Sequence, residues 1–574
     1  MEDLIRKSFV AGVERVAAWA DLLDAINVYP VADGDTGRNL SISLSPLRRA
    51  GENRDQLVRQ LLLAARGNSG NIASQFFAAL CGVDSPQQLT AAVKEGNARA
   101  WKAVSEPRRG TMLSVFDALS ESLRRREFTP DQKSTDQIIS HLEQAVRETR
   151  DLLPKLTKAG VVDAGALGMY IFFEGFFYTL AGHTRSYRLV TDVFKDSLTI
   201  SSAFRETSES GYCVDFVVKA VRASDDLTHI AGGQESAVII HEGDLYKIHL
   251  HTDDKEKIKA RISELGSLVN WEDDNLSAQI KEFSHAPADT RLHIMTDAAG
   301  SLTRDDAKKY GFTLLNSYLH VGEKSLPETC FHPGELYSAM SAGVKVSTSQ
   351  ASVFERHQFY ASVLARFEKV LYLCVGSVYT GNYQAAMDWK KEYDPQNRLT
   401  VIDTGAASGR LGTIVLSTVT HLSRTKDMDK TIDFAKKAVE ACEEYVFLEK
   451  LEYLAAGGRL SKTSAFFGDM LKMKPVISPR PEGAKKVGVT RSRNDQVNMA
   501  LSKLSAALDR DSRALIMLEY SDNIDQISAL KETIKDLYPA AEIILQPLSL
   551  TSGAHMGPGT WGVTFLKMDS RFKF

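Results

Sequence analysis

Cysteine is scarce in this chain, and what there is stands apart. Cys81, Cys213, Cys330, Cys374 and Cys442 are the five in 574 residues. Odd in number and widely spread, they argue against a disulfide framework and for a reducing compartment, the cytoplasm. Charge of one sign is also missing. The formal net charge is −3, which argues against a bulk basic surface for nucleic acid. No apolar run reads as a membrane span. The greasiest stretch, 165–182, carries Glu174 and polar neighbours, so it reads as a buried core helix and leaves at most peripheral membrane contact. Met1-Glu2-Asp3-Leu4 lacks the basic and apolar regions of a secretory leader. No Walker A pattern occurs. Gly557–Gly562 fits G-x-G-x-x-G only formally, because Pro558 interrupts it and too few residues follow for a βαβ unit. With 43% hydrophobic and 25% charged residues the composition is that of a globular protein. The length suggests three or four domains at about 150 residues each.

What is present changes character along the chain. In the first third, Phe9, Val10, Val13, Val16, Ala17, Leu23 and Ile26 recur mostly at three- and four-residue steps, one apolar stripe on a helix. Residues 56–65, 72–80, 112–125, 135–153 and 165–180 behave similarly, which predicts an all-α bundle with loops at its helix ends. After residue 183, strands are predicted at 187–190, 212–220, 236–240 and 245–251, and a helix at 254–265. This is a small α+β unit over about 190–285, with 284–289 as a linker. From Arg291, strands at 293–296, 370–375 and 399–403 alternate with helices, an α/β layer with a mainly parallel sheet. A further α+β portion follows from about 440, with strands near 513–519 and 541–548.

The first chemical motif is the loop Asn27-Val28-Tyr29-Pro30-Val31-Ala32-Asp33-Gly34-Asp35-Thr36-Gly37-Arg38-Asn39. Asp-Gly alone is usually a turn. Two carboxylates flanking a glycine can converge where backbone approaches closely, and grouped hard oxygens suit Mg²⁺ together with phosphate. Gly67-Asn68-Ser69-Gly70 opens a predicted helix, where amide groups and the dipole favour an anion. Gly110-Thr111 and the run from Gly160 through Asp163 to Gly165 lie at further helix starts. Together they suggest a Mg-nucleotide at the open end of a helical body.

These motifs resemble the nucleotide-binding (L) subunit of dihydroxyacetone kinases and, more closely, the kinase component of bacterial fatty acid kinase. The resemblance covers about residues 1–185. It implies an eight-helix barrel that binds ATP and two Mg²⁺, with Asn27, Asp33 and Asp35 as metal ligands and the two aspartates at the catalytic centre. Thr36, Asn39, Gly67, Asn68, Ser69, Gly70, Gly110, Thr111, Asp163 and Gly165 fall in the nucleotide-binding segments. Arg38, Arg108-Arg109 and Ala166-Leu167 depart from the family pattern.

In the middle unit, His249-Leu250-His251 on one strand puts both imidazoles on one face, and Cys213 sits on an earlier strand. Cys plus two His is a zinc-type ligand set, although a lone His-x-His is more often two half-exposed histidines. The same kinase component carries a zinc-binding middle domain with a similar Tyr-Cys and His-x-His-Thr pattern. That resemblance implies zinc at Cys213, His249 and His251.

Hydroxyl-rich clusters mark the last half: 296–302, 347–352, 376–383 and 403–405. Three of them directly follow predicted strands, where sites form in open α/β sheets. With Gly457-Gly458-Arg459 and His555-Met556-Gly557-Pro558-Gly559, they resemble the DegV family of fatty-acid-binding proteins over about 291–574. The resemblance implies a carboxylate held by Thr348 or Ser349, Ser377 and His555, with Thr380 in the same cluster and Arg459 near the transfer site. Ala351, Thr380 and Asn382 stand where that family has other residues.

The expectation is therefore a multidomain fused fatty acid kinase: 1–185 binding Mg-ATP, 190–285 with a candidate zinc site, 291–574 binding the fatty acid. ATP plus a bound fatty acid would give ADP and an acyl phosphate for a consuming acyltransferase in phospholipid metabolism. The resemblance also implies a homodimer. The alternatives are a dihydroxyacetone (glycerone) kinase and a non-catalytic lipid-binding protein.

Overall fold

Burial of apolar stripes against one another builds the N-terminal half from helices. The computed structural model describes residues 2–49, 53–125, 128–182, 187–206, 211–220, 237–283, 291–456, 473–569 and 572. The predicted linker 284–289 and Arg459 lie outside them. The chain falls into two compact units, Met1–Pro287 and Ala288–Phe574.

The first unit opens with α1 (Glu2–Ala25), α2 (Thr36–Ser43), α3 (Arg54–Ala64), α4 (Gly67–Leu80), α5 (Leu89–Ala103), α6 (Met112–Arg125), α7 (Gln132–Leu152), α8 (Pro154–Ala159) and α9 (Ala164–Leu180). Side chains of Asn53, Asp131 and Asp163 accept backbone amides at the starts of α3, α7 and α9, satisfying donors that a helix start leaves open. α9 is apolar on nearly every face because helices surround it. Its Phe173 packs edge-on to Phe76, which stacks on Phe116 at 4.0 Å between centroids. α1 crosses close enough that a Cβ on Gly12 would lie 2.8 Å from the Phe172 ring. Between these helices Arg15 and Glu174 form a fully buried ion pair. Removing either partner would leave a buried charge, at a cost of about 3–5 kcal/mol. Among the described residues no helix is long and apolar enough to cross a membrane.

The strand predicted at 187–190 does not form. Tyr187 lies under the Arg15 guanidinium, and Arg188 bonds Glu143 and Tyr170. These contacts fix the segment against the helices, and a one-turn helix, α10 (Val190–Val193), follows.

Next come β1 (Tyr212–Ala220), β2 (Val238–Glu242), β3 (Leu245–Thr252), α11 (Lys255–Leu265), β4 (Gly266–Asn275) and α12 (Leu276–Phe283). The sheet is antiparallel with order β2-β3-β1-β4. Side chains alternate between its faces. Val214, Phe216, Val218, Ile248 and Leu250 pack with Ile258 and Ile262 of α11. The other face carries Cys213 opposite His251 and Asp274, and Asp215 opposite His249 and Glu272. That polar face meets the helices within the same unit.

The second unit has β5 (Leu292–Asp297), β6 (Thr313–Leu315), β7 (Ser317–Val321), β8 (Lys324–Pro327), β9 (Val346–Gln350), β10 (Lys369–Cys374), β11 (Leu399–Asp403), β12 (Glu443–Phe447), β13 (Lys474–Arg480), β14 (Gly483–Thr490), β15 (Ala514–Tyr520), β16 (Glu542–Pro547) and β17 (Trp561–Lys567). A parallel sheet runs β11-β10-β5-β6, a mixed sheet β14-β13-β12-β17-β15-β16, and a small antiparallel sheet β8-β7-β9. Asp297, at the end of β5, ties the parallel layer together. It accepts from Arg356, Tyr372, Asn382 and the Val375 amide at 2.8–2.9 Å. Asn382 is thus committed to this network. In the mixed sheet, Glu444 accepts Ser408 Oγ and the amides of Gly409 and Arg410, which open the helix Ser408–Thr425. Burial and the neighbouring Glu519 push its carboxyl pKa well up.

Glu328 is buried and accepts the Thr551 amide at 3.1 Å. Burial pushes its pKa up from 4.5 to about 7. The folded state therefore holds this proton more tightly than the unfolded one. The resulting stability is complete below pH 4.5 and is lost as pH rises towards 7. Glu328→Gln should flatten that loss, by up to ~3 kcal/mol between pH 4.5 and 7.5. Urea unfolding followed by tryptophan fluorescence at several pH values measures it; an unchanged slope would contradict the assignment.

Candidate functional site

The acidic loop is a turn fixed from several sides. Gly34 has φ +66° and Gly67 φ +60°, left-handed backbone that glycine adopts without strain. A Cβ on Gly67 would also collide with the Asn39 side chain. Asp24 of α1 accepts the amides of Gly37 and Arg38 at 2.6 and 3.1 Å, seating the start of α2. Lys155 donates to the Pro30 carbonyl at 2.6 Å and pairs with Glu206, which accepts the Ala32 amide. Asn27 Nδ2 donates to Asp33 Oδ1. Asp35 stands at the N-cap position of α2 yet makes no capping bond.

Burial, then repulsion from Asp35 and a hydrogen bond to it, push the Asp33 pKa well up. Burial raises Asp35 too, against Arg38 and Asn39. Two carboxylates that resist ionising together, with an amide oxygen beside them, are the donor set a hard divalent cation relieves. Asn27, Asp33 and Asp35 therefore fit Mg²⁺.

Thr36 Oγ1 lies 3.4 Å from Ser69 Oγ, which joins this loop to a cleft of about 530 Å³. Tyr29, Pro30, Asn68, Ser69, Thr111, Met112, Asp163 and Gly165 are among its lining residues. Its size suits a nucleotide-sized ligand. Asp163 is pushed up to about 7 by burial, although it accepts amides at the start of α9.

Three of the glycines have other work. The Gly67 amide donates to Asp215 at 2.8 Å and the Gly70 amide to the Arg66 carbonyl. Gly110, with φ +91°, packs on Leu152 and Leu153 and donates to Ser114 Oγ. In the tetrapeptide 67–70 the middle pair, Asn68 and Ser69, faces the cleft. Asn39 lies instead in a smaller cavity, of about 260 Å³, shared by Asp35, Arg66, Gly67, Cys213, Asp215, Glu272 and Asp274.

Cys213, His249 and His251 converge next to that cavity, their ligand atoms within 4.8 Å of one another. His249 Nδ1 lies 3.0 Å from Asp215 Oδ2, while its Nε2 is buried with no hydrogen-bond partner. A metal-binding histidine is characteristically held this way, one nitrogen on a carboxylate and the other for the ion. Burial and the carboxylates Asp215, Asp35, Asp33 and Asp274 push the Cys213 thiol pKa well up, so a thiolate here calls for a cation. The donor set fits zinc. Burial works to raise Asp215, but Lys247 and His249 outweigh it and hold its pKa far below the usual carboxylate range.

In the second unit, Thr348 Oγ1 lies 3.0 Å from His555 Nε2. Its neighbour Ser349 points to the opposite face of β9 and meets His320 Nε2 at 2.9 Å. Thr348 is therefore the hydroxyl paired with His555. The Ser377 amide donates to Asp403, and Thr380 Oγ1 accepts the Asn382 amide. Both follow β10. Asp215, Lys247, Glu272 and Asp274 were not picked out by sequence reasoning. The available signal was two-residue spacing: Asp215 shares a face with Cys213, and Lys247 with His249.

Three family models match consecutive stretches: a DAK2 domain over 30–178, a FakA-like middle domain of the fatty acid kinase type over 209–283, and "uncharacterised protein, DegV family" over 291–568. The chain is thus a fusion of a kinase-type DAK2 segment, a fatty-acid-kinase-like middle domain and a DegV domain. No single model spans half of it. An uncharacterised protein of Staphylococcus haemolyticus is 31% identical over 307 residues, covering 49% of this chain and 56% of that protein. The chain spans about half the length of the curated relatives it matches. Among solved structures, a DegV family protein from Thermus thermophilus, titled for fatty acid binding, has 24% identity and a TM-score of 0.45. It covers 48% of this chain and 99% of that one. The fatty acid kinase (Fak) B3 protein of Streptococcus pneumoniae, loaded with linoleic acid, has 16% identity and a TM-score of 0.42. It covers 49% and 100%.

Cys213→Ser and His249→Ala should each lower zinc content from about one per chain to near zero by elemental analysis. Retention of full stoichiometry in both would remove this site.

Proposed function

We propose that this chain is a fused fatty acid kinase that transfers the γ-phosphoryl group of ATP to the carboxylate of a fatty acid. The observation that carries the proposal is the Asp33–Asp35 pair, joined through Thr36 and Ser69 to a nucleotide-sized cleft, in a chain that also holds a DegV domain. In the reaction the bond between the β,γ-bridging oxygen and the γ-phosphorus breaks and a carboxylate oxygen bonds to that phosphorus. ADP and an acyl phosphate result. No general base is needed, since the acceptor is ionised near neutral pH. Asn27, Asp33 and Asp35 hold Mg²⁺, which offsets charge on the phosphates. Asn68 and Ser69 seat the phosphates at the start of α4, and Asp163 and Thr111 line the nucleotide cleft.

Thr348 and His555 present the acyl carboxylate by donating hydrogen bonds, with Ser377 and Thr380 in the same role at the end of β10. Ser349, turned to His320, lies outside this set. Arg459 steadies the developing charge. Zinc at Cys213, His249 and His251 holds the middle sheet in place. The domain limits 1–185, 190–285 and 291–574, a homodimeric state, cytoplasmic residence and an acyltransferase that consumes the product all belong to this reading.

Supplying Mg-ATP with oleate or with dihydroxyacetone and measuring ADP tests it. Oleate-dependent ADP is the expected result, and Asp33→Ala should lower that rate at least ~100-fold while leaving bound oleate unchanged by mass spectrometry. ADP with dihydroxyacetone alone, or bound lipid with no ADP in either case, would overturn the proposal.

A further inference from the structure

Asp215 stands where the two candidate sites of the first unit meet. It belongs to β1, yet its side chain reaches α4. Oδ2 accepts the Gly67 amide at 2.8 Å and lies 3.0 Å from His249 Nδ1. Oδ1 accepts Asn71 Nδ2 at 2.8 Å and lies 3.3 Å from Lys247 Nζ. The side chains of Asp215, Lys247 and His249 are 8%, 2% and 1% exposed. None of these four contacts is incidental in such a setting, since each satisfies a group that water does not reach.

One carboxylate therefore serves two masters. Its bond to Nδ1 fixes the His249 ring, so that Nε2, buried and without a partner, is presented beside Cys213 and His251. Its bond to the Gly67 amide fixes the left-handed turn that sends Asn68 and Ser69 into the nucleotide cleft. A cation drawing on Nε2 makes the Nδ1–H a stronger donor and holds Asp215 in place. With no cation, the His249 ring loses half of what orients it, and the anchor for Gly67 slackens.

We propose that Asp215 is a positioning residue that couples cation binding at Cys213, His249 and His251 to nucleotide binding in the cleft of the helical segment. The inference rests on the cleft being the nucleotide seat. Linkage then requires reciprocity: the cation tightens nucleotide binding by the same factor by which nucleotide tightens the cation.

The test uses the full chain, with AMP-PNP and Mg²⁺ as the nucleotide probe and Zn²⁺ as the cation. Calorimetry on zinc-loaded protein and on protein treated with a zinc-selective chelator should show nucleotide Kd rising about tenfold on stripping, within the range usual for coupled sites. Zinc competition with a chromogenic chelator should show the matching gain when AMP-PNP is bound. In Asp215→Asn, zinc affinity should fall about 10- to 100-fold, and the nucleotide Kd should no longer respond to zinc. Equal nucleotide Kd values for loaded and stripped wild-type protein overturn the inference without reference to any variant. So does an Asp215→Asn protein that keeps the wild-type coupling factor. A purely structural role would weaken both ligands without changing that ratio. Oleate is absent throughout, so loss of coupling leaves the kinase proposal standing, and failure to phosphorylate oleate leaves the coupling standing. Wild-type protein that binds no AMP-PNP overturns both.

Discussion

Two carboxylates on one tight turn cannot both ionise out of water without a cation between or beside them. Asp33 and Asp35 impose this constraint on the first unit, and much around them answers to it. Asp24 seats the helix that follows, Lys155 and Glu206 clamp the approach, and Asn27 lends an amide to one carboxylate. Gly34 permits the turn itself. Each contact holds the pair where the two carboxylates repel each other, an arrangement of little structural use and considerable use to a phosphate-bound cation.

The middle sheet extends this logic. Its apolar face is closed by α11, and its polar face is turned to the helices, carrying thiol, imidazole and carboxylate groups. A sheet of ordinary stability would not bury Cys213, Asp215, Lys247 and His249 on one face; the desolvation is substantial unless they satisfy one another or an ion. Here they do the first in part, and the unpartnered His249 Nε2 marks where the second belongs. Helical segment and middle sheet thus share polar contacts such as Arg66–Glu272 and Gly67–Asp215.

The helices could be read in advance because their burial repeats every three or four residues: the stripe at 112–125 coincides with α6. The loops could be read because glycine, proline and paired aspartates leave few local alternatives. β4 could not. Gly266–Asn275 alternates poorly, and Glu272 and Asp274 look like surface acids until pairing with β1 sets them opposite Asp215 and Cys213. Thr348 and Ser349 were indistinguishable for a related reason. Only the pairing of β9 with β7 decides which hydroxyl turns to His555 and which to His320. The segment 187–190 misled because side-chain contacts with Arg15 and Glu143, far away in sequence, outweigh its weak local preference.

The central claim is chemical: a phosphorylated carboxylate must form. Acyl phosphates react with hydroxylamine to give stable hydroxamates. Incubation of the protein with oleate, Mg-ATP and hydroxylamine should yield oleoyl hydroxamate in step with ADP, detected by mass spectrometry. ADP formation with no hydroxamate above the ATP-free control would contradict the account.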